Sequence, residues 1–94
     1  MTESFTKSEK DQSRVVLLEY PRKGVWAVGF ATKENKGIIS NKAKEELVNV
    51  FLPTTPNPTS GFLLMVPKKE LIYLDVSFEQ ASKFIVSAGT SNLD

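Results

Sequence analysis

The sequence predicts a small α+β domain in which about five mainly antiparallel strands curl into a partly open barrel or sandwich, with one C-terminal helix across it. Two observations support this prediction. Short β-branched and apolar runs recur between residues 15 and 75, each bounded by turn-forming residues. After residue 76, the apolar side chains adopt the spacing of one helix face. At 94 residues, the chain is one domain with room for one modest core.

We expect three parts along the chain. Residues 1–13 are rich in Ser, Thr, Lys and Glu, which predicts a disordered arm. Residues 14–90 form the single β-rich domain with its C-terminal helix, and residues 91–94 form a frayed tail. The arm and residues 34–45 should be the most mobile stretches, because neither has a periodic apolar face.

The first two strands are predicted to form a hairpin. Residues 15–20 have the sequence VVLLEY, and Pro21 ends the run. Pro21 presets φ and Gly24 supplies a positive φ, so the residues between the strands form a turn. The second strand, residues 25–32, alternates large side chains on one face with small ones on the other. We expect the small face to meet a close neighbour, such as the helix.

Three more strands are predicted at residues 47–52, 62–66 and 71–75. The segment 33–46, which precedes them, is charged and turn-rich. Its part 40–46 has the composition for one or two helical turns, but we expect a mobile excursion within a long connection between strands.

The C-terminal helix is predicted over residues 77–88. Ser77, with Gln80 three residues later, is a capping box at its start, and Gly89 is a natural terminator at its end. Four apolar residues recur at helical spacing: Phe78, Ala81, Ile85 and Ala88. We expect Phe78, Ala81 and Ile85 to be buried on the sheet.

Composition excludes several classes of chemistry. The chain contains no cysteine and no histidine, so disulfides, thiolate nucleophiles, Cys or His zinc ligands and Ser-His-Asp catalysis within the chain are excluded. The formal net charge is +1, which gives no electrostatic case for nucleic acid. No apolar run reaches the roughly 18 residues of a membrane span. We predict no metal site, no cofactor and no enzymatic activity.

The proline-rich segment of residues 53–61, PTTPNPTSG, is the most unusual part of the sequence. We call residues 54–60 the proline loop. Its candidate binding residues carry hydroxyl or amide groups: Thr54, Thr55, Asn57, Thr59 and Ser60. These groups suit a docking surface for a protein partner or a small polar ligand. They also suit a purely structural loop whose hydroxyls satisfy its own backbone.

Two residues of the first hairpin are further candidates. Arg22 lies at the predicted hairpin tip, where it suits contact with acidic lipid headgroups or a partner carboxylate, or simply a solvated turn. Trp26 suits an interface anchor, because tryptophan is enriched at binding hot spots, and equally a core position in a strand.

Several segments together resemble a known family. They include EYPRKGVW at residues 19–26, VFLPTTPNPTSGFLL at residues 50–64, and LDVS at residues 74–77 with IVSAG at residues 85–89. In the same order, over about residues 15–89, they resemble the bacterial and plant membrane proteins of the domain of unknown function 502 family, also called continuous-vascular-ring-like. That family commonly ends on Ser-Gly-Gly, and this chain departs from it at the first glycine.

The resemblance implies two transmembrane helices ahead of this region, which this chain does not contain. The chain would then be the soluble portion of a membrane-associated protein, with the domain expected on the cytoplasmic side, or a membrane-free relative. The family has no established activity. We therefore expect an interaction or assembly domain that binds a protein partner or a second copy of itself. The alternatives are a small-ligand sensor with a pocket near the proline loop, and an enzyme using carboxylates and hydroxyls.

Overall fold

The computed structural model describes residues 14–93, so the predicted arm of residues 1–13 lies outside the described part. Within that part, the chain forms five strands, two helices and one 3₁₀ turn. The strands are β1 (Val15–Glu19), β2 (Trp26–Asn35), β3 (Leu47–Pro53), β4 (Gly61–Pro67) and β5 (Ile72–Tyr73). The helices are α1 (Ile38–Ala43) and α2 (Phe78–Val86), and the 3₁₀ turn is Lys68–Glu70.

All five strands belong to one antiparallel sheet in the order β4-β3-β2-β1-β5. The predicted α+β class, with five antiparallel strands and a C-terminal helix, is confirmed. The sheet is open, because β4 and β5 are its two edges.

The sheet is curved, although it does not close. A short connection containing the 3₁₀ turn joins its two edge strands, from Pro67 to Ile72. A 3₁₀ turn rises about 2 Å per residue and extended residues about 3.5 Å, so this connection spans at most roughly 15 Å. Two edges separated by four flat inter-strand spacings would lie roughly 19 Å apart. The edges must therefore approach each other, which makes one face concave and the other convex.

The concave face holds the larger apolar cluster. Its buried members are Val16, Leu18, Ala31, Val48, Val50, Leu52, Val66 and Leu71. Leu71 belongs to the connection between the sheet edges, so that connection crosses the concave side. The small face of β2 points into this cluster: a Cβ added to Gly29 would lie 2.9 Å from Val50 Cγ1 and 3.0 Å from the Phe51 carbonyl oxygen. The expectation that the helix meets this face is wrong, because the curled sheet itself fills the space.

Helix α2 packs on the convex face, against the large side chains of β1 and β2. Ala81 and Ile85 are buried there with Val15 and Phe30. The Phe78 ring lies 4.9 Å from the Phe30 ring, in a tilted arrangement, and remains partly exposed. The predicted helix is thus present, with Ala81 and Ile85 buried on the sheet, but the prediction that Phe78 is buried is wrong, because its side chain is 41% exposed.

The N-terminus of α2 has the cap that the sequence predicts, but the helix ends earlier than predicted, and Ala88 takes the terminator position that was expected for Gly89. Ser77 Oγ accepts a hydrogen bond from Gln80 N–H at 3.0 Å, and Gln80 Oε1 accepts one from Ser77 N–H at 2.8 Å, which is the predicted capping box. At the other end, Ala88 N–H donates to the Ile85 carbonyl and Gly89 N–H to the Phe84 carbonyl. This pair of bonds is a Schellman motif, which places Ala88 at the left-handed position with φ 57°.

The segment after β2 differs from the prediction. Strand β2 continues to Asn35, and α1 follows where an irregular excursion was expected. The strand continues because its backbone pairs with β3 across an irregularity between Ala31 and Lys33, while its Lys33 and Glu34 side chains remain exposed. Because these side chains are charged, the end of β2 has no hydrophobic periodicity in the sequence. Helix α1 buries no residue, so it leaves no periodic signal either.

Candidate interaction surface

The proline loop uses its candidate polar groups internally. Thr54 Oγ1 donates to the Asn57 carbonyl at 2.6 Å and also lies 3.1 Å from the Ser60 carbonyl. Asn57 Oδ1 accepts hydrogen bonds from Thr59 N–H at 3.2 Å and from Thr59 Oγ1 at 2.6 Å. The loop is therefore a set of short turns held together by its own side chains.

Thr55 connects the proline loop to the helix. Its Oγ1 donates a hydrogen bond to the Ile85 carbonyl at 2.5 Å, in the last turn of α2. The Ile85 carbonyl also accepts the Ala88 N–H of the Schellman motif, so Thr55 adds a second donor at this end of the helix. Four of the five predicted loop residues thus lie together in one hydrogen-bonded unit, and the fifth, Thr55, anchors that unit to α2.

Gly61 marks the place where the proline loop returns to the sheet. A Cβ at this position would lie 2.2 Å from the Leu52 carbonyl oxygen and 2.8 Å from Pro53 Cα. Only glycine allows β4 to pass so close to the backbone of β3. The loop and the start of β4 are consequently fixed relative to each other.

Strand β4 exposes an unusual amount of apolar surface. Leu63 is 68% exposed, Phe62 56% and Met65 37%. All seven residues from Gly61 to Pro67 are uncharged. In the register with β3, Leu63 and Met65 lie on the convex face beside Phe51 and Asn49, and Phe62 lies on the concave side opposite Leu52. The apolar run predicts this strand but not its position at a sheet edge, because hydrophobicity alone does not specify strand order.

The hairpin candidates belong to the β1–β2 hairpin and not to β4. The Arg22 guanidinium donates to the neighbouring Lys23 carbonyl at 3.0 Å, at the exposed hairpin tip. Trp26 begins β2 opposite Glu19 and is 50% exposed, so it is not a core residue. The Glu19 carboxylate accepts a hydrogen bond from Gly24 N–H at 3.0 Å and so supports the turn.

A concavity lies at the other end of the sheet from the hairpin turn. It is a polar groove of about 670 Å³ between the end of β2, α1 and the start of β3, and it is not lined by the proline loop. At its rim, Lys68 Nζ lies 2.9 Å from Glu34 Oε2 and Lys36 Nζ 3.5 Å from Glu34 Oε1. The hydrogen bond and charge of Lys68 hold the pKa of the Glu34 carboxyl below its usual range, and the same pair raises the pKa of Lys68.

Residues 14–93 offer neither a cluster of metal-binding side chains nor a membrane-spanning helix. These residues contain no group of acidic side chains that could hold a metal ion. In the part of the chain that the structure describes, no helix is both long and apolar enough to cross a membrane.

Comparison with known proteins gives one match. No curated protein and no solved structure matches the chain significantly. The family described as protein of unknown function DUF502 matches residues 1–60. This range contains the hairpin, β3 and the proline loop, whereas β4, β5 and α2 lie beyond it. Because the match covers more than half of the chain, the resemblance is confirmed: the protein belongs to the DUF502 family.

Proposed function

We propose that this domain is a non-enzymatic interaction module through which a membrane-anchored protein assembles with a protein partner. In this proposal, transmembrane helices outside the chain anchor the full-length protein, and the domain lies on the cytoplasmic side. The resemblance to the family's membrane proteins supports the anchoring. The observation that carries the interaction role is the uncharged, apolar edge strand β4, with Phe62 and Leu63 more than half exposed.

The physical argument concerns the cost of leaving this strand in water. An edge strand presents unpaired N–H and C=O groups, and soluble proteins usually protect such edges with charge, proline or short length. Strand β4 is seven residues long and carries no charge. Clustered exposed apolar side chains beside unpaired backbone groups are features of surfaces that bind a partner strand.

The polar alternatives have weaker support. A small-ligand site at the proline loop would need free hydroxyl donors, but the Thr54, Thr55 and Thr59 hydroxyls all donate to acceptors within the chain. The loop supports the interaction module differently, because it fixes the start of β4 through Gly61 and the end of α2 through Thr55. We assign the loop a positioning role.

The test uses the full-length protein in its own host, with Leu63→Lys in β4 and Ile72→Lys as the matched control. Ile72 is also an exposed apolar residue on the convex face, but it lies on the opposite edge strand. After mild detergent extraction, native particle size is measured. The wild type and Ile72→Lys should run as an assembly larger than the monomer, and Leu63→Lys should run as the monomer.

Two results would overturn the proposal: a wild-type protein that runs as a monomer, or a Leu63→Lys protein that keeps the wild-type size. Thermal unfolding of the purified chain separates a lost interaction from a lost fold. Both lysines are placed at solvent-exposed positions, so the melting temperatures of the two variants should stay close to that of the wild type.

A further inference from the structure

Among residues 14–93, no strand pairs with the outer side of β4, whose backbone presents a definite pattern of donors and acceptors. Thr54 N–H donates to the Ser60 carbonyl, and Lys68 N–H to the Glu46 carbonyl, so these residues form hydrogen-bonded pairs at the two ends of the β3–β4 ladder. Hydrogen-bonded pairs alternate along an antiparallel ladder. The N–H and C=O groups of the even-numbered residues of β4 therefore point toward β3, and those of the odd-numbered residues point outward.

This outer edge is self-complementary. We infer that the domain forms a two-fold symmetric dimer in which the β4 strands of two copies pair antiparallel about Leu64. Leu64 is the middle residue of β4, so this register uses the whole strand. Leu63 then exchanges both of its hydrogen bonds with Met65 of the second copy. Gly61 N–H donates to the Pro67 carbonyl of the second copy. Pro67 has no N–H, so no donor is left unpaired at that position.

The side chains fit the same register. On the convex face, Leu63 lies opposite Met65 of the second copy, and on the concave face Phe62 lies opposite Val66. Apolar cross-strand pairs of this kind each stabilise a sheet by about 0.2–1 kcal/mol. No charged residue occurs between Gly61 and Pro67, so identical strands meet without like-charge repulsion. Lys68 of each copy lies opposite Ser60 of the other, which is uncharged.

The second edge of the sheet explains why pairing stops at two copies. Strand β5 contains only Ile72 and Tyr73, and charged residues lie on both sides of it. A strand of only two residues, with charged residues close to both ends, resists further pairing. Each copy thus offers one usable edge, and pairing that edge with itself gives a closed dimer instead of a growing sheet.

This inference rests on the proposed function, because it names a second copy as the partner. The first test measures the molar mass of the purified chain at increasing concentration by light scattering. The chain should reach twice its mass of 10.5 kDa. Leu63→Lys should raise the dissociation constant about tenfold or more, and Ile72→Lys should not change it.

The second test uses the absence of cysteine in the chain. In the proposed register, Leu64 faces Leu64 of the second copy in a non-hydrogen-bonded pair, with Cα atoms about 4.5 Å apart, which suits a disulfide. Leu64→Cys should form a covalent dimer on mild oxidation. Phe62→Cys is the control, because residue 62 is more exposed but lies about 13 Å from its symmetry mate.

The outcomes separate the two proposals. If the purified chain is monomeric, but Leu63→Lys still reduces the size of the full-length assembly, β4 binds another protein and the self-pairing inference fails alone. If Phe62→Cys crosslinks as fast as Leu64→Cys, the disulfide reports random collision and the register is wrong. If Leu63→Lys changes neither the purified chain nor the full-length assembly, both proposals fail.

Discussion

The two faces of the sheet are buried in different ways. The concave face is covered by the curl of the sheet itself and by the connection that carries Leu71, so that Val16, Leu18 and Val50 are almost completely buried. The convex face is covered by one helix, which contacts β1 and β2 and leaves the β4 side exposed. The concave face is therefore closed by the sheet itself, whereas the convex face keeps exposed apolar side chains on β4, such as Leu63.

The largest expected difference compares two adjacent leucines of β1. Leu18 points to the concave face and is 2% exposed, whereas Leu17 points to the convex face and is partly exposed. Leu18→Ala should lower the free energy of unfolding by about 3 kcal/mol, and Leu17→Ala by clearly less, because the cost grows with the cavity left behind. Denaturant unfolding measures both, and equal losses would contradict the contrast between the faces.

The tight fit of the concave face is tested at Gly29. Gly29→Ala places a Cβ against Val50 Cγ1 and the Phe51 carbonyl, and it should lower the free energy of unfolding by about 1–3 kcal/mol. Gly37→Ala is the control, because nothing lies within 4 Å of a Cβ at that position. If both variants were equally stable, the small side chains of β2 would not be needed for the curl.

The helix cover of the convex face depends in part on its N-cap. Ser77→Ala removes the acceptor for Gln80 N–H and should lower the free energy of unfolding by about 1 kcal/mol. Amide exchange should quicken in α2 more than in β3. Ser82→Ala, within the same helix, changes no cap and should have little effect. If amides of the concave cluster lost as much protection from exchange as those of α2, the two faces would unfold together.

The C-terminus of the same helix offers a stabilising change. Ala88 has φ 57°, at the Schellman position where glycine is favoured. A left-handed conformation costs a residue with Cβ about 1–2 kcal/mol, and glycine's extra freedom in the unfolded chain offsets part of that gain. Ala88→Gly should therefore raise the free energy of unfolding by about 0.5 kcal/mol, measured by thermal unfolding. A lower melting temperature would contradict the Schellman assignment.

The smallest expected effect concerns the Glu34–Lys68 ion pair, which links β2 to the connection beside the concave face. The pKa of Glu34 is lowered in the folded chain from its ordinary value of 4.5. The ionised pair therefore stabilises the fold above that value, and its contribution disappears as the pH falls through the lower, folded-state pKa. Wild type should be slightly more stable than Glu34→Gln at pH 7, and the difference should vanish in acid and in high salt. If the stability difference between wild type and Glu34→Gln grew in acid, the lowered pKa of Glu34 would be contradicted.

Local patterns predicted much of the molecule. Ser77 and Gln80 identified the start of α2, and its apolar spacing identified Ala81 and Ile85 as buried. Continuous apolar runs located β1, β3 and β4 to within a residue or two. A purely structural role was one of the alternatives for the polar residues of the proline loop, and their hydrogen bonds within the chain agree with that role.

The sequence by itself therefore determined the elements whose signals are local: the capped helix, the apolar strands and the stiff loop. Tertiary structure alone decided that the small face of β2 lies inside the curl, that β2 continues through the charged residues Lys33 and Glu34, and that β4 is an edge. The physical reason is that strand order and curl arise from backbone pairing between distant residues. Every residue except proline offers the same backbone groups for that pairing, so the side-chain pattern of one strand does not specify its neighbours.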